Sequence, residues 1–204
     1  MYDSAITAAD FISGIREELD IAAVIPDSAF VRWLNVVEQT VYTELIRELR
    51  AVKIEAEYGE GNTVPIAISS IETEDGEEDV IFDDIVKVYA DGVELDRVSL
   101  ISGLVFDNLG MYWHNKGYIE VKMLIPPRDF TIVHVVRPKR KTENDTDTVK
   151  LPAEWLEIAA SRLRGEAYKL ANDDNMAAKW LNDYNLYLEQ FKVWLDKNKV
   201  YGEK

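Results

Sequence analysis

The sequence predicts an α+β fold, a helical bundle formed by N- and C-terminal helices with an inserted antiparallel β-sheet lobe. Two observations predict it. Apolar residues recur at spacings of three and four in two terminal arms, residues 5–50 and 151–197, whereas between the arms they alternate with polar residues and are punctuated by turn-forming pairs. The arms must find each other across the whole middle of the chain, so that middle reads as an insertion on a helical body rather than a tandem domain. Residues 1–50 and 151–204 are expected to form the helical core, and residues 51–150 the β-rich insertion.

Thr7-Ala8-Ala9-Asp10 supplies an N-cap ahead of Phe11, Ile12, Ile15 and Leu19, and the first helix is expected to end near Asp20. Pro26-Asp27-Ser28 opens the second, on which Phe30, Leu34, Val37, Val41, Leu45 and Leu49 form one continuous apolar stripe. Beyond Arg50 the period falls to two. Val52, Ile54, Ala56 and Tyr58 alternate with polar neighbours, Gly59-Glu60-Gly61-Asn62 turns the chain, and a second strand is expected from Val64.

Glu72, Glu74, Asp75, Glu77, Glu78 and Asp79 crowd like charges together, and the stretch from Glu72 to Asp84 reads as a solvated loop. It is not a calcium hand: with Gly76 at the sixth position, Ile71 would stand where the first carboxylate is needed. Ile85 to Leu95 reads as a hairpin around Asp91-Gly92, a pair that tolerates positive φ. Tyr112-Trp113 and Tyr118 to Met123 flank Asn115-Lys116-Gly117 in the same way, and Phe130 to Val136 adds a strand after Pro126-Pro127.

The charged, Thr-rich stretch from Pro138 to Lys150 reads as a linker back to the helices. Pro152 suits a first helical turn, followed by Trp155, Ile158, Ala159, Leu163, Ala167 and Leu170 at helical spacing. Asn172-Asp173-Asp174-Asn175 breaks that helix and caps the last one. The last helix carries two apolar strips: Ala177, Leu181, Tyr184, Leu188, Phe191 and Leu195, and beside them Trp180, Tyr187 and Trp194. Aromatic rows at helical spacing commonly belong to a core, but Trp and Tyr also favour interfaces, and the second strip is expected to meet another subunit or protein.

Composition narrows the function classes. The 204 residues carry 23 Lys and Arg against 38 Asp and Glu, a net charge of −15, which disfavours tight gripping of nucleic-acid phosphates. With no cysteine there is no disulfide, thiol nucleophile or thiolate metal site. Asp3 and Asp10 precede the first basic residue, Arg16, unlike the basic start of a signal peptide, and no apolar run reaches membrane-spanning length. Synthesis in the cytoplasm is expected.

The chain holds no phosphate loop, dinucleotide fingerprint or nucleophile elbow, and His114 and His134 lack metal-ligand spacing. Acidic pairs abound in so acidic a chain and identify no general acid and base. No enzyme, cofactor or metal site is expected. A carbohydrate- or peptide-binding module built on Tyr89, Tyr112, Trp113 and Tyr118 is the alternative; a metal-dependent hydrolase ranks below it.

Ile6-Thr7-Ala8-Ala9-Asp10-Phe11, followed by Phe30-Val31-Arg32-Trp33-Leu34-Asn35-Val36-Val37-Glu38-Gln39-Thr40-Val41-Tyr42, resembles the start of tailed-bacteriophage head-tail connector proteins, the adaptor or neck proteins that complete the head. Trp33-Leu34-Asn35 is its most recognisable step. Val135-Val136-Arg137-Pro138, then Leu151-Pro152-Ala153-Glu154-Trp155 and a helix in which Ala167 precedes Asn172-Asp173, is similar to the return of such chains from a β-rich insertion to closing helices.

The resemblance implies a structural virion protein located in the neck after assembly in the host cytoplasm. It implies a homo-oligomeric ring, commonly a dodecamer, bound to the portal protein on one side and to a tail-side neck or stopper protein on the other. DNA would pass through the ring without specific binding, and an acidic channel would repel its phosphates. The acidity also suits simple solubility. The expected oligomer or portal interface comprises Trp33, Trp180, Tyr187, Phe191, Trp194, Leu195, Val200 and Tyr201, with residues 194–201 as a docking tail.

Overall fold

In a computed structural model the described residues are 4–19, 25–55, 63–67, 71–73, 76–78, 80–98, 110–115, 118–122, 129–142 and 146–202. The chain divides into two compact units, Met1–Ile46 with Arg137–Lys204, and Arg47–Val136. Helices at both ends flank a sheet region, and the expected α+β class is borne out.

In the helical unit, α1 (Ala8–Glu18) starts as its sequence predicts, with the Thr7 hydroxyl accepting from the Asp10 N–H at 3.1 Å. Its buried face is Phe11, Ile12 and Ile15. Helix α2 (Asp27–Thr40) buries Phe30, Leu34 and Val37, but regular geometry stops at Thr40 and Val41–Ile46 form a π-helical turn. The long stripe expected as one helix is thus interrupted. The Thr43 hydroxyl donates to the Gln39 carbonyl at 2.9 Å, competing for the acceptor that the α-helical ladder would use, and the wider turn leaves Val41 and Tyr42 fully buried.

Pro152 precedes a 3₁₀ turn, Ala153–Trp155, so α3 (Leu156–Leu170) begins later than the proline suggested. Ile158, Ala159, Leu163 and Ala167 are buried as expected, whereas Leu170, in the last turn, is exposed. Asn172 takes positive φ, and the Asp173 carboxylate accepts from the Met176 N–H at 3.0 Å, which opens α4 (Asp174–Gly202). At Gly165 a side chain would press on Leu181, so the absence of a Cβ sets how closely α3 and α4 approach.

The linker expected from Pro138 to Lys150 is instead a strap that belongs to the helical unit. Ser4 donates its N–H to the Val149 carbonyl, Ala8 to that of Asp147, and Val149 to that of Ile6, at 2.9–3.0 Å, while Val149 itself is fully buried. Charged and Thr-rich composition signals solvation only when the backbone lacks partners, and here it has them.

The sheet unit contains two four-stranded sheets. One runs in the order β1 (Leu49–Glu55), β10 (Asp129–Val135), β5 (Ile85–Ala90), β6 (Val93–Glu94); the other β2 (Thr63–Ala67), β9 (Tyr118–Lys122), β8 (Met111–Asn115), β7 (Asp96–Arg97). All pairings are antiparallel except β7 with β8. Both sheets contribute to one core, including Val52, Val88, Phe130 and Ile132 from the first and Tyr112, Ile119 and Val121 from the second. Ile85 and Val88 both point inward although three apart, because a register shift opposite Val133 and His134 inserts an extra residue.

Asp91 and Gly92 take φ of 47° and 80°, the expected hairpin turn. The expected strand from Val64 appears as β2, whereas Ala56, Tyr58 and the turn 59–62 lie outside the described residues. The acidic stretch is not one loop. Its backbone forms a hairpin, β3 (Ile71–Thr73) and β4 (Gly76–Glu78), with Thr73 opposite Gly76 across a two-residue connection; a 3₁₀ turn at Phe82–Asp84 follows, with Asp84 buried. The charge run concealed the pairing of Ile71–Thr73 with Gly76–Glu78.

Candidate functional site

Three features of the helical unit bear on function: a buried polar clasp, a basic groove beside it, and the aromatic side of α4. The clasp begins at Trp33-Leu34-Asn35. Leu34 is fully buried, and Trp33 is buried with its ring edge-on to Phe30 at 5.2 Å. The next residue turns towards the strap. Asn35 Nδ2 donates to the Lys141 carbonyl at 3.0 Å and its Oδ1 accepts from the Lys141 N–H at 2.8 Å, so one side-chain amide pairs with a backbone as a neighbouring strand would.

One turn further along α2, Glu38 closes the clasp. Its Oε2 accepts from Lys141 Nζ, its Oε1 accepts from the Lys150 N–H at 2.7 Å, and both charged side chains are fully buried. Burial pushes the Glu38 carboxyl above its ordinary value, with Lys141 and the Lys150 N–H pulling the other way. This clasp was missed in the sequence, although Glu38 sits four residues after Leu34 and four before Tyr42, in phase with buried positions where an acid needs a partner.

Beside the clasp, α2 and the strap line an open cavity of about 650 Å³. Val31 is buried and Val36 half-exposed along it, and Arg32 and Arg140 are exposed. Neither arginine has an ion pair among the described residues.

The second apolar strip of α4 is partly absorbed by the unit itself. Phe191 is fully buried and Leu195 buried, while Trp194 stacks on Phe191 at 5.6 Å and meets Trp155 at 6.0 Å. Tyr187 and Trp194 are partly buried against the core. Trp180 carries the Arg164 guanidinium over its ring at 4.7 Å and Lys179 at 5.0 Å, and its buried indole N–H has no hydrogen-bond partner among the described residues. Arg164 is held by Glu18 at 2.6 Å and Glu157 at 3.0 Å; burial opposes its charge, but the two carboxylates outweigh it and hold the guanidinium above its ordinary value. The other side of α4 leaves Leu186 and Val193 more than half exposed, seven residues apart on one face.

The expected interface residues are therefore not one surface patch. Trp33, Phe191 and Leu195 are interior, and Trp180, Tyr187 and Trp194 are half-buried beside them. Val200 and Tyr201 lie where the backbone remains helical rather than becoming a polar tail; their side chains are outside the described ones. The aromatic platform imagined for the sheet does not form. Tyr112 and Trp113 are buried, Tyr89 is half-buried and only Tyr118 of the four is exposed; Tyr112 and Trp113 are successive residues of β8, so they face opposite ways, and both faces are covered there.

Among the described residues no group of three acidic or imidazole side chains is placed to hold a metal ion, and no helix is long and apolar enough to cross a membrane. The sequence model of a family described as SU10 adaptor protein matches residues 6–201. Among curated proteins none matches the sequence.

Proposed function

This chain belongs to the SU10 adaptor protein family, a phage head-tail adaptor family, and we propose that it works there as a ring-forming sleeve between portal and tail. Membership carries a structural role in the virion neck, in contact with other head and tail proteins, in a family that is not an enzyme class. The finer reading is ours. About twelve copies assemble under the portal after synthesis in the host cytoplasm, and the ring continues the DNA channel towards a tail-side neck or stopper protein. DNA passes without specific binding because the chain's net charge of −15 repels phosphates.

The observation that carries this reading is a family match spanning almost the whole chain, helices and sheet region together. The exposed Leu186 and Val193 support it, since apolar residues on one helix face suit a neighbour's surface. We assign ring and portal contacts to that face of α4, to the exposed edges of Trp180, Tyr187 and Trp194, and to the terminal Val200 and Tyr201. Trp33, Phe191 and Leu195 support that surface from within.

Light-scattering mass across a concentration series, with and without purified portal rings, followed by negative-stain imaging, tests the assignment. Rings are expected, alone or on the portal, and truncation after Asp196 should weaken portal attachment. A chain that stays monomeric beside portal rings would overturn the reading.

A further inference from the structure

We propose that the basic groove between α2 and the strap receives the acidic hairpin β3–β4 of a second copy of this chain. The proposal rests on the ring reading and deepens it by naming both halves of one subunit contact.

The charge distribution points to the groove. In a chain of net charge −15, Arg137, Lys139, Arg140 and Lys141 concentrate positive charge within five residues. Lys141 is consumed internally by Glu38, but Arg140 and, across the cavity on α2, Arg32 are exposed and lack an ion pair among the described residues. Two guanidinium groups lining one cavity repel each other and each offers a planar fork that fits a carboxylate, so an acidic occupant relieves the repulsion and uses both forks. Val31 and Val36 add an apolar wall. The site therefore suits a short acidic segment with an apolar residue at its edge.

The same chain supplies one. Residues 72–79 contain Glu72, Glu74, Asp75, Glu77, Glu78 and Asp79, no basic residue, and Ile71 directly before them. Here Ile71–Thr73 and Gly76–Glu78 pair with each other and with no other strand among the described residues. Two different complementary patches on one chain make a heterologous, head-to-tail contact, the type that closes into a ring when the rotation allows. Phosphates of DNA would also suit two arginines, and a second copy carries net negative charge as DNA does, but the acidic segment is flanked by Ile71, which suits the apolar wall as a phosphate backbone does not.

Charge reversal in the full chain tests this. R32E/R140E is expected to raise the concentration for half-assembly, on the portal if assembly needs it, by about tenfold or more, and E77K/E78K likewise. Joining all four substitutions in one chain should restore assembly, and unchanged thermal melts by circular dichroism would show each variant folded. R32E/R140E assembling like wild type would overturn the docking and leave the ring intact. Both pairs failing without rescue by the quadruple variant would remove the hairpin as occupant. Loss of DNA-fragment binding with assembly unchanged would assign the groove to nucleic acid instead. Wild type that never assembles would overturn both this docking and the ring.

Discussion

The two units are closed by different physics. In the sheet unit the shared core is apolar: Val88, Ala90, Ile119, Phe130 and Ile132 are fully buried and the sheets meet through volume and shape. The helical unit has a larger apolar cluster, yet its strap is fixed by charge and hydrogen bonds, through the Glu38 to Lys141 pair, the Asn35 amide and the Ser4, Ala8 and Val149 backbone contacts. The difference teaches where each device is useful. A pleated sheet offers two faces of alternating side chains, so burial alone sets its register. An extended strap with few apolar residues has no such pattern and can slide, so directional bonds must say which residue lies where.

The largest test of that contrast is to break one closure of each kind. Glu38→Ala would leave the Lys141 ammonium buried without its partner, and a loss of about 3–5 kcal/mol is expected in denaturant unfolding. Phe130→Ala, at a fully buried position of the sheet core, should also cost about 3–5 kcal/mol through lost contacts and a cavity. The two should differ in rescue. Replacing both charges in E38L/K141M removes the unpaired ion and should recover most of the first loss, whereas no removal of a second residue refills the space left by Phe130. A double variant as unstable as Glu38→Ala would mean that the strap is held by the pair itself rather than by avoidance of a lone buried charge.

The same contrast shows what was legible in the sequence. Devices that act between neighbours in the chain were readable: the Thr7 cap, the Asp91-Gly92 turn, and the alternation that became β10. The family was readable too, and Trp33-Leu34-Asn35 now has a physical reason, two core side chains followed by the amide that holds the strap. The strap was not readable, because its partners lie more than a hundred residues away and its composition is that of a solvated loop. The acidic hairpin was hidden for a related reason: charge dominated a stretch whose backbone pairs Thr73 with Gly76. As for the α4 aromatics, periodicity identified an apolar strip, but only the placement of Trp155 shows how much of Trp194 is covered at home.

A pH series sharpens the contrast further. Burial holds the Glu38 carboxyl above its ordinary value of 4.5, so the folded state keeps the proton longer than the unfolded one. For a raised group the associated stability is fully present below the unfolded value and is lost as pH rises through the folded one. Relative to Glu38→Gln, which does not titrate, the wild type should therefore be at its best in acid, lose ground as pH climbs from 4.5 through the raised value, and run parallel above it. Denaturant midpoints at each pH give the difference directly. Phe130→Ala, which removes no titratable group, should track the wild type at every pH, and a pH-dependent gap there would erase the distinction between the two closures.

The smallest expected effect lies at the seam of α3 and α4, at the point where Gly165 meets Leu181 by shape alone. A Cβ on Gly165 would sit 2.8 Å from Leu181 Cδ2 and 2.9 Å from its Cγ, closer than side chains pack without moving. Gly165→Ala should gain about 1 kcal/mol from helix propensity and lose about 1–3 kcal/mol to the displaced leucine, a net destabilisation of about 1 kcal/mol. Leu181→Ala makes room, so G165A/L181A should be less unstable than the two single losses summed, and that positive coupling is what distinguishes a steric seam from a simple loss of apolar burial. If Gly165→Ala proved stabilising, the seam would have slack, and close approach of α3 and α4 would owe nothing to the missing side chain.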